Sequence, residues 1–399
     1  MLFSLEALEA RKGDSLILHF GESNKEPNFI VIDGGPTKVY RNSLKPRLEQ
    51  LWEKFKQDDD KLDVNMLMVS HIDDDHLRGV IDWLDDIEGA TSDTAYNIQT
   101  LWFNSFDEVL GNGAKELQSR LAPVAEDAAS GGAQAASFNT DPKVGQHSAA
   151  VIASVGQGRK LRSQAQRLAI PMNRGFKGLV MAQEKATTLK IGSGMVFHVL
   201  CPSRDKLEEL HKIWERDIVK NPSEAAVAAF ADKSVANLSS IVVVAEMKLK
   251  SKTQRMLLTG DARGDHILEG LEKSSLAKKA GRWHFDLFKL PHHGSDRNAT
   301  EEMFGIITAD HYVISANGEH DNPDESIIHW IANARGTEPY TIHITNRTLK
   351  NPSNGKDISA LVNAALATTA AKAPKRKVVF RDDAELSVRV DLGTDPVNY

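Results

Sequence analysis

Residues 65–80 read Asn-Met-Leu-Met-Val-Ser-His-Ile-Asp-Asp-Asp-His-Leu-Arg-Gly-Val. The apolar run Met66–Val69 is short and bounded by polar residues, the pattern of a buried strand. Directly after it, His71, Asp73, Asp74, Asp75 and His76 supply five potential metal ligands in six positions. Adjacent carboxylates repel and raise one another's pKa, and a bound cation removes that penalty. His71 and Asp73 can face one centre, while Asp75 and His76 can turn toward a second. The stretch predicts a metal-binding loop at the end of a strand.

Composition narrows the setting of that loop. With 399 residues the chain has room for one large domain or two ordinary ones. Hydrophobic residues at 41% and charged residues at 26% exclude a disordered chain. The formal net charge of −6 gives no global nucleic-acid footprint, so any basic site must be local. The single cysteine, Cys201, excludes internal disulfides and cysteine-rich zinc sites and fits a reducing cytoplasm. Acids interrupt the apolar N-terminus, which is therefore no signal peptide. No run approaches the roughly 18–20 apolar residues of a membrane span. A soluble, cytoplasmic protein is expected.

Outward from the loop, residues 3–10 and 15–20 read as strands around a turn at Gly13-Asp14, and Phe29–Ile32 as a buried strand ending at Asp33-Gly34-Gly35. Asp33 is placed to orient a ligand histidine from behind. Leu44, Leu48, Leu51, Trp52 and Phe55 have helical spacing, with Pro46 in the first turn. A helix is expected over Val80–Ile87 and a strand over Ile98–Phe103. Residues 105–190 change texture, being rich in Ala, Ser, Gln and Gly, and read as a helical insertion over the mouth of the site. From Gly156 to Lys190, Arg159, Lys160, Arg162, Arg167, Arg174, Lys177, Lys185 and Lys190 face a single acid, Glu184. In an acidic chain this surplus is the candidate phosphate-backbone contact. Later strands are expected at Met195–Cys201, Ile241–Glu246, Arg255–Thr259, Phe285–Leu290, Tyr312–Ala316, Thr341–Asn346 and Glu385–Leu392. Arg204–Val219 and Asp357–Thr369 read as helices, and Lys372–Lys377 as a basic link.

His71-x-Asp73-x-Asp75-His76 resembles the His-x-His-x-Asp-His signature of the metallo-β-lactamase superfamily, with Asp73 replacing the second histidine. That replacement is typical of the branch containing the hydrolase domain of the ComEC DNA-uptake protein and some phosphorylcholine esterases. Four further segments resemble the same branch, in order along the chain. Gly13-Asp14 followed by Ile32-Asp33-Gly34-Gly35 is similar to its opening. Asn237-x-x-Ser240 is similar to the segment standing near where other members place a third histidine. Leu257-Leu-Thr-Gly-Asp261 is similar to the motif whose aspartate bridges two metals. Lys289-Leu-Pro-His292-His293-Gly-Ser295 is similar to the late histidine motif. The family's Tyr-Gly-His triplet is missing downstream, and His320 is the candidate substitute.

The resemblance implies an α/β fold, the four-layer αββα metallo-β-lactamase sandwich, as one domain over 1–399 with the insertion at 105–190. It implies two divalent ions. One would be held by His71, Asp73 and Asp261, the other by Asp75, His76, Asp261 and one of His292 or His293. The working assignment takes His292 as the ligand, with Asp75 and His293 as catalytic groups. Asn237, Ser295, Lys289 and His320 would contact substrate. The donor set suits Mn²⁺ or Zn²⁺, with Mg²⁺ also open. The implied activity is hydrolysis of phosphodiester bonds, as a DNA nuclease using a hydroxide shared by the two metals. Two alternatives stand beside it: a hydrolase of a small phosphoester, of choline-phosphate or cyclic-nucleotide type, and a metal-stabilised interaction subunit of a multiprotein system. Nucleic acid, through residues 156–190, is the expected partner, with a protein partner or homo-oligomer also open.

Overall fold

A computed structural model describes residues 1–58, 60–90, 95–105, 156–183, 187–214, 239–250 and 252–399. Its strands are β1 (Leu2–Leu8), β2 (Leu16–Gly21), β3 (Asn28–Ile32), β4 (Leu62–Val64), β5 (Met66–Met68), β6 (Tyr96–Ile98), β7 (Leu101–Trp102), β8 (Thr187–Gly192), β9 (Met195–Cys201), β10 (Val242–Leu249), β11 (Lys252–Leu258), β12 (Trp283–Lys289), β13 (Ile307–Ile314), β14 (Tyr340–Ile344), β15 (Arg376–Phe380) and β16 (Ser387–Asp391). They form a six-stranded sheet in the order β16-β1-β2-β3-β5-β7, an eight-stranded sheet running from β15 through β14 and on down to β8, and a small β4-β6 pair. The chain is thus mixed α/β.

Both large sheets are antiparallel at one side and parallel at the other. β3, β5 and β7 run parallel, as do β11 to β15. One apolar cluster draws on both sheets, including Phe3, Leu18 and Ile30 from the first and Phe197, Val243 and Val313 from the second. The outer face of the first sheet carries helices α1 (Lys45–Phe55) and α2 (Asp74–Gly89). Helices Gly264–Lys273, Glu301–Ile306, Glu325–Arg335 and Ile358–Thr368 cover the outer face of the second. Strands covered on both faces need apolar residues at nearly every position, which is why β3, β5 and β10 read as continuous runs.

The buried stripe of α1 is Leu48 and Leu51, as its spacing predicts, but it also carries the buried Arg47. Arg47 donates from Nε to both oxygens of Glu6 at 3.0 Å, and Glu6 also takes a bond from His19 Nε2 at 2.9 Å. Burial alone would raise the Glu6 pKa. The His19 hydrogen bond and the Arg47 charge outweigh it and hold the group at about 2, against 4.5 for a free glutamate. A folded pKa below the unfolded one gives stability that is complete above pH 4.5 and lost as pH falls toward about 2. Glu6→Gln would leave Arg47 buried without its anion, at a cost of about 3–5 kcal/mol near neutrality. Urea titrations at stepped pH should show the gap to wild type closing across that acid window.

Several expectations are refined. The strand read over Ile98–Phe103 divides, β6 pairing with β4 and β7 joining the six-stranded sheet. The basic link at Lys372–Lys377 runs into edge strand β15. Trp102 and Phe103 are core residues. Residues 106–155 and 184–186, most of the stretch read as an insertion, lie outside the described residues. Of its remainder, 156–167 is helical, and 187–190 belongs to β8. Among the described residues no helix is long and apolar enough to cross a membrane.

Candidate metal centre

The centre sits at the carboxyl ends of parallel strands from both sheets, where loops rather than ladder partners receive the chain. Asp33 follows β3, His71 follows β5, Asp261 follows β11, and His292 and His293 follow β12. The helix after the first loop begins at Asp74, six residues before the expected start, with Asp73 at its N-cap and Asp74 and Asp75 in its first turn. Carboxylates there meet the positive end of the helix dipole. The run of three acids is thus a helix start as well as a ligand set, and the strand-to-helix turn aims Asp75 and His76 at the centre.

Glycines let the three motif-bearing segments meet. A Cβ on Gly79 would stand 1.9 Å from Gly34 O, and one on Gly13 would stand 1.8 Å from Asp75 O. Gly34 N instead donates to His76 O at 2.7 Å, and Gly79 N to Gly35 O at 2.8 Å. The loop after β3 is thereby locked to the first turns of α2.

Asp261 lies at the middle. Its oxygens stand 3.3 Å from His76 Nε2, 3.7 Å from His71 Nε2, 3.7 Å from His293 Nε2 and 3.9 Å from His292 Nε2. Asp75 lies 3.6 Å from His293 Nε2 and 4.0 Å from His76 Nε2. Asp73 is 3.5 Å from His71 Nε2, on the rim, with its side chain 42% exposed. Most of these separations exceed a good hydrogen bond. Ligand atoms bound at about 2.0–2.2 Å to a four-coordinate ion stand about 3.4 Å from one another, which is the spacing seen. His71 Nε2, His76 Nε2, His293 Nε2 and Asp261 Oδ1 are buried with no hydrogen-bond partner. Each such atom costs about 1–3 kcal/mol if left so. Two overlapping groups, Asp14, His76, Asp261 and His293, and His71, Asp75 and His76, have ligand atoms close enough together to hold a metal ion.

The outward ring nitrogens are held from behind. His76 Nδ1 bonds Asp33 Oδ2 at 2.8 Å, and Asp33 also accepts from Ser70 N and Ser70 Oγ, each at 2.7 Å. This is the position the sequence suggests for Asp33, and it points His76 Nε2 inward. His293 Nδ1 faces Asp14 Oδ1 at 3.4 Å, and Asp14 Oδ2 pairs with Lys289 Nζ at 2.7 Å. Asp14 belongs to the donor cluster by distance. The Lys289 ammonium beside it opposes a second cation there, so Asp14 serves better as the orienting partner of His293.

Burial by itself would lower the histidine pKa values, yet Asp261 and its neighbours hold His71 above its ordinary value, His76 well above it and His293 up to about 9. Burial likewise fails to raise Asp261, which the histidines hold well below the usual carboxylate range. The site is built to contain positive charge. A metal must displace the histidine protons, so its affinity should rise with pH through the neutral range and past about 9, where His293 gives up its proton. Titrating apoprotein with Mn²⁺ or Zn²⁺ at stepped pH measures this.

Two assignments are corrected. The structure brings His293, not His292, into the donor cluster, and the His292 side chain is 38% exposed. Consecutive left-handed residues, φ 48° and 57°, turn the two rings apart, with ring planes at 88°. Lys289 is fully buried and bound to Asp14 and to Leu290 O at 2.9 Å, so it is not a substrate contact. Ser295 is buried behind the turn, its N–H donating to His292 O at 2.9 Å. His320 stands at the mouth, close enough for Asp75 and His293 to influence its charge, on a left-handed backbone of φ 60°. Asn237 lies outside the described residues. Asp14 was not singled out in the sequence, where the Gly13-Asp14 pair at the first turn was its only signal.

The cations of residues 156–190 are partly spent within the fold, Lys160 pairing with Asp85 at 2.6 Å and Arg167 with Glu88 at 2.7 Å. No family model matches the chain, and no curated protein matches it.

Proposed function

We propose that this chain is a metal-dependent hydrolase of phosphodiester bonds with the αββα sandwich of the metallo-β-lactamase superfamily, in its ComEC-like branch. The observation that carries the reading is the convergence of His71, His76, His293 and Asp261, all with buried unpartnered ligand atoms, where the carboxyl ends of strands from both sheets meet. The sheet order and the helical outer layers support the fold assignment. Two ions are assigned to it in this reading, one on His71, Asp73 and Asp261, the other on Asp75, His76, His293 and Asp261. Two bound divalent ions would lower the pKa of water toward about 7 and stabilise charge on phosphoryl oxygens.

The chain's own residues supply the rest. Asp33 holds the Nδ1 side of His76 by a hydrogen bond and the Asp14 carboxylate faces the Nδ1 side of His293, so both rings present Nε2 to the centre. His292, exposed beside Asp261, is positioned to give a proton to the departing oxygen. The oxygen-rich set suits Mn²⁺, and the imidazoles suit Zn²⁺.

The test is hydrolysis of bis-p-nitrophenyl phosphate and of single- and double-stranded DNA by metal-stripped protein, with Mn²⁺, Zn²⁺ or Mg²⁺ restored singly. Metal-dependent cleavage that is absent from an Asp73→Ala/His76→Ala variant supports the reading. No cleavage of any phosphodiester, with metal demonstrably bound, rejects it.

A further inference from the structure

We propose that the rim formed by the carboxyl ends of β13 and β14 is the binding track for the backbone of a single-stranded nucleic acid leading into the metal centre; the inference rests on the phosphodiesterase reading above. The five parallel strands β11 to β15 carry their loops along one edge in a row. Asp261 follows the first and His293 the second. His320 follows the third, and Arg347 and Lys350 follow the fourth. Moving along the row therefore leads from the metal ligands to two exposed cations.

Segment 346–356 reads Asn-Arg-Thr-Leu-Lys-Asn-Pro-Ser-Asn-Gly-Lys, with three cations and no acid. Lys356 pairs with Asp321 at 3.2 Å. Arg347 and Lys350 are exposed, and among the described residues neither meets a carboxylate within 4.0 Å. The segment is fastened to the mouth of the centre. Lys350 N donates to Asn317 O at 3.0 Å, and Asn351 Nδ2 to Asp321 Oδ1 at 2.7 Å. A Cβ on Gly318 would stand 2.2 Å from Lys350 N, so the loops bearing His320 and Lys350 cannot separate without rearrangement. On the other side of His320, Arg11 and Lys12 share the one carboxylate of Glu319, at 3.6 and 3.8 Å, which leaves a surplus positive charge.

A single strand is favoured by the surroundings of Arg347. Arg347 lies over the Phe380 ring, its Cζ 5.1 Å from the ring centroid. The planar guanidinium of an arginine is a stacking surface for an unpaired base. The track is separate from residues 156–190, whose Lys160 and Arg167 are tied to α2 acids.

Binding is measured by fluorescence anisotropy of a labelled oligothymidylate of about 20 nucleotides, in chelator and at about 50 mM salt, so that no metal or cleavage intervenes. Arg347→Ala/Lys350→Ala should bind about tenfold or more weakly, and its slope of log affinity against log salt should shrink by about 1.4, two contacts' worth. Lys160→Ala/Arg167→Ala should bind as wild type does. Wild-type affinity in the first variant, equal loss in both, or no binding by wild type overturns the track. Duplex binding with the same dependence on Arg347 and Lys350 overturns the single-strand assignment. Hydrolysis of bis-p-nitrophenyl phosphate by metal-loaded wild type without oligonucleotide binding removes the track and keeps the phosphodiesterase. Variant-sensitive binding without hydrolysis keeps the track and rejects the phosphodiesterase.

Discussion

Asp261→Asn should abolish metal-dependent hydrolysis and metal-dependent stabilisation together. Among the described residues its carboxylate is the one that lies within 3.9 Å of His71, His76, His292 and His293 alike. Replacing it with an amide removes the negative charge that both proposed ions share. Loss of a residue that merely orients a ligand costs about 10–100-fold in affinity or activity. Loss of the shared ligand should exceed that range. An ion that binds only the folded state stabilises it by about 2.7 kcal/mol at a hundred times its dissociation constant. Wild type should therefore gain thermal stability on addition of metal, and Asp261→Asn should gain none. The apo variant should itself be less stable, because Asp261 balances the charge of the buried histidines, so the readout is the gain on metal addition within each protein. Calorimetry with and without metal reads stabilisation, and bis-p-nitrophenyl phosphate hydrolysis reads activity. A variant still stabilised by metal would mean that the histidines bind it without Asp261.

Lys289→Met should be destabilising by about 3–5 kcal/mol, because it leaves Asp14 as a buried carboxylate facing His293 without its cation. Lys289 and Asp14 are both nearly inaccessible and sit 2.7 Å apart. The double variant Lys289→Met/Asp14→Asn removes both charges and should recover much of the loss, since neutral packing in place of a buried ion pair is often no worse. Metal affinity should separate the two effects. With Asp14 neutralised, His293 loses the negative charge facing its Nδ1, and affinity should fall about 10–100-fold even in the refolded double variant. Urea denaturation gives the first quantity and metal titration the second. A double variant that recovers both stability and full metal affinity would restrict the pair to a packing role.

Much of the site was legible from local sequence, because its residues are grouped at strand ends. The strand Met66–Met68 breaking into His71, Asp73, Asp75 and His76, the late His292-His293 pair, and Asp33 and Asp261 after apolar runs each stand out within a short window. Apolar periodicity also marked the buried strands and α1. Other features depend on pairs far apart in the chain, and no window contains them. The Asp14–Lys289 ion pair joins residues 275 positions apart in number and becomes visible only when β1, β2 and β12 are brought to one edge. The choice between His292 and His293 turned on two left-handed backbone residues that rotate the rings apart, which adjacent identical side chains cannot signal. The start of α2 at Asp74 was hidden because three acids suit a ligand loop and a helix N-terminus equally. The basic run after Gly156 suggested an open phosphate surface, yet Lys160 and Arg167 meet acids of α2. Sequence by itself therefore determined which residue types gather at which strand ends, since strand periodicity and ligand chemistry are local. Tertiary structure alone decided which charges are cancelled, which rings face inward and which cations remain exposed, because each depends on what a distant segment places opposite them.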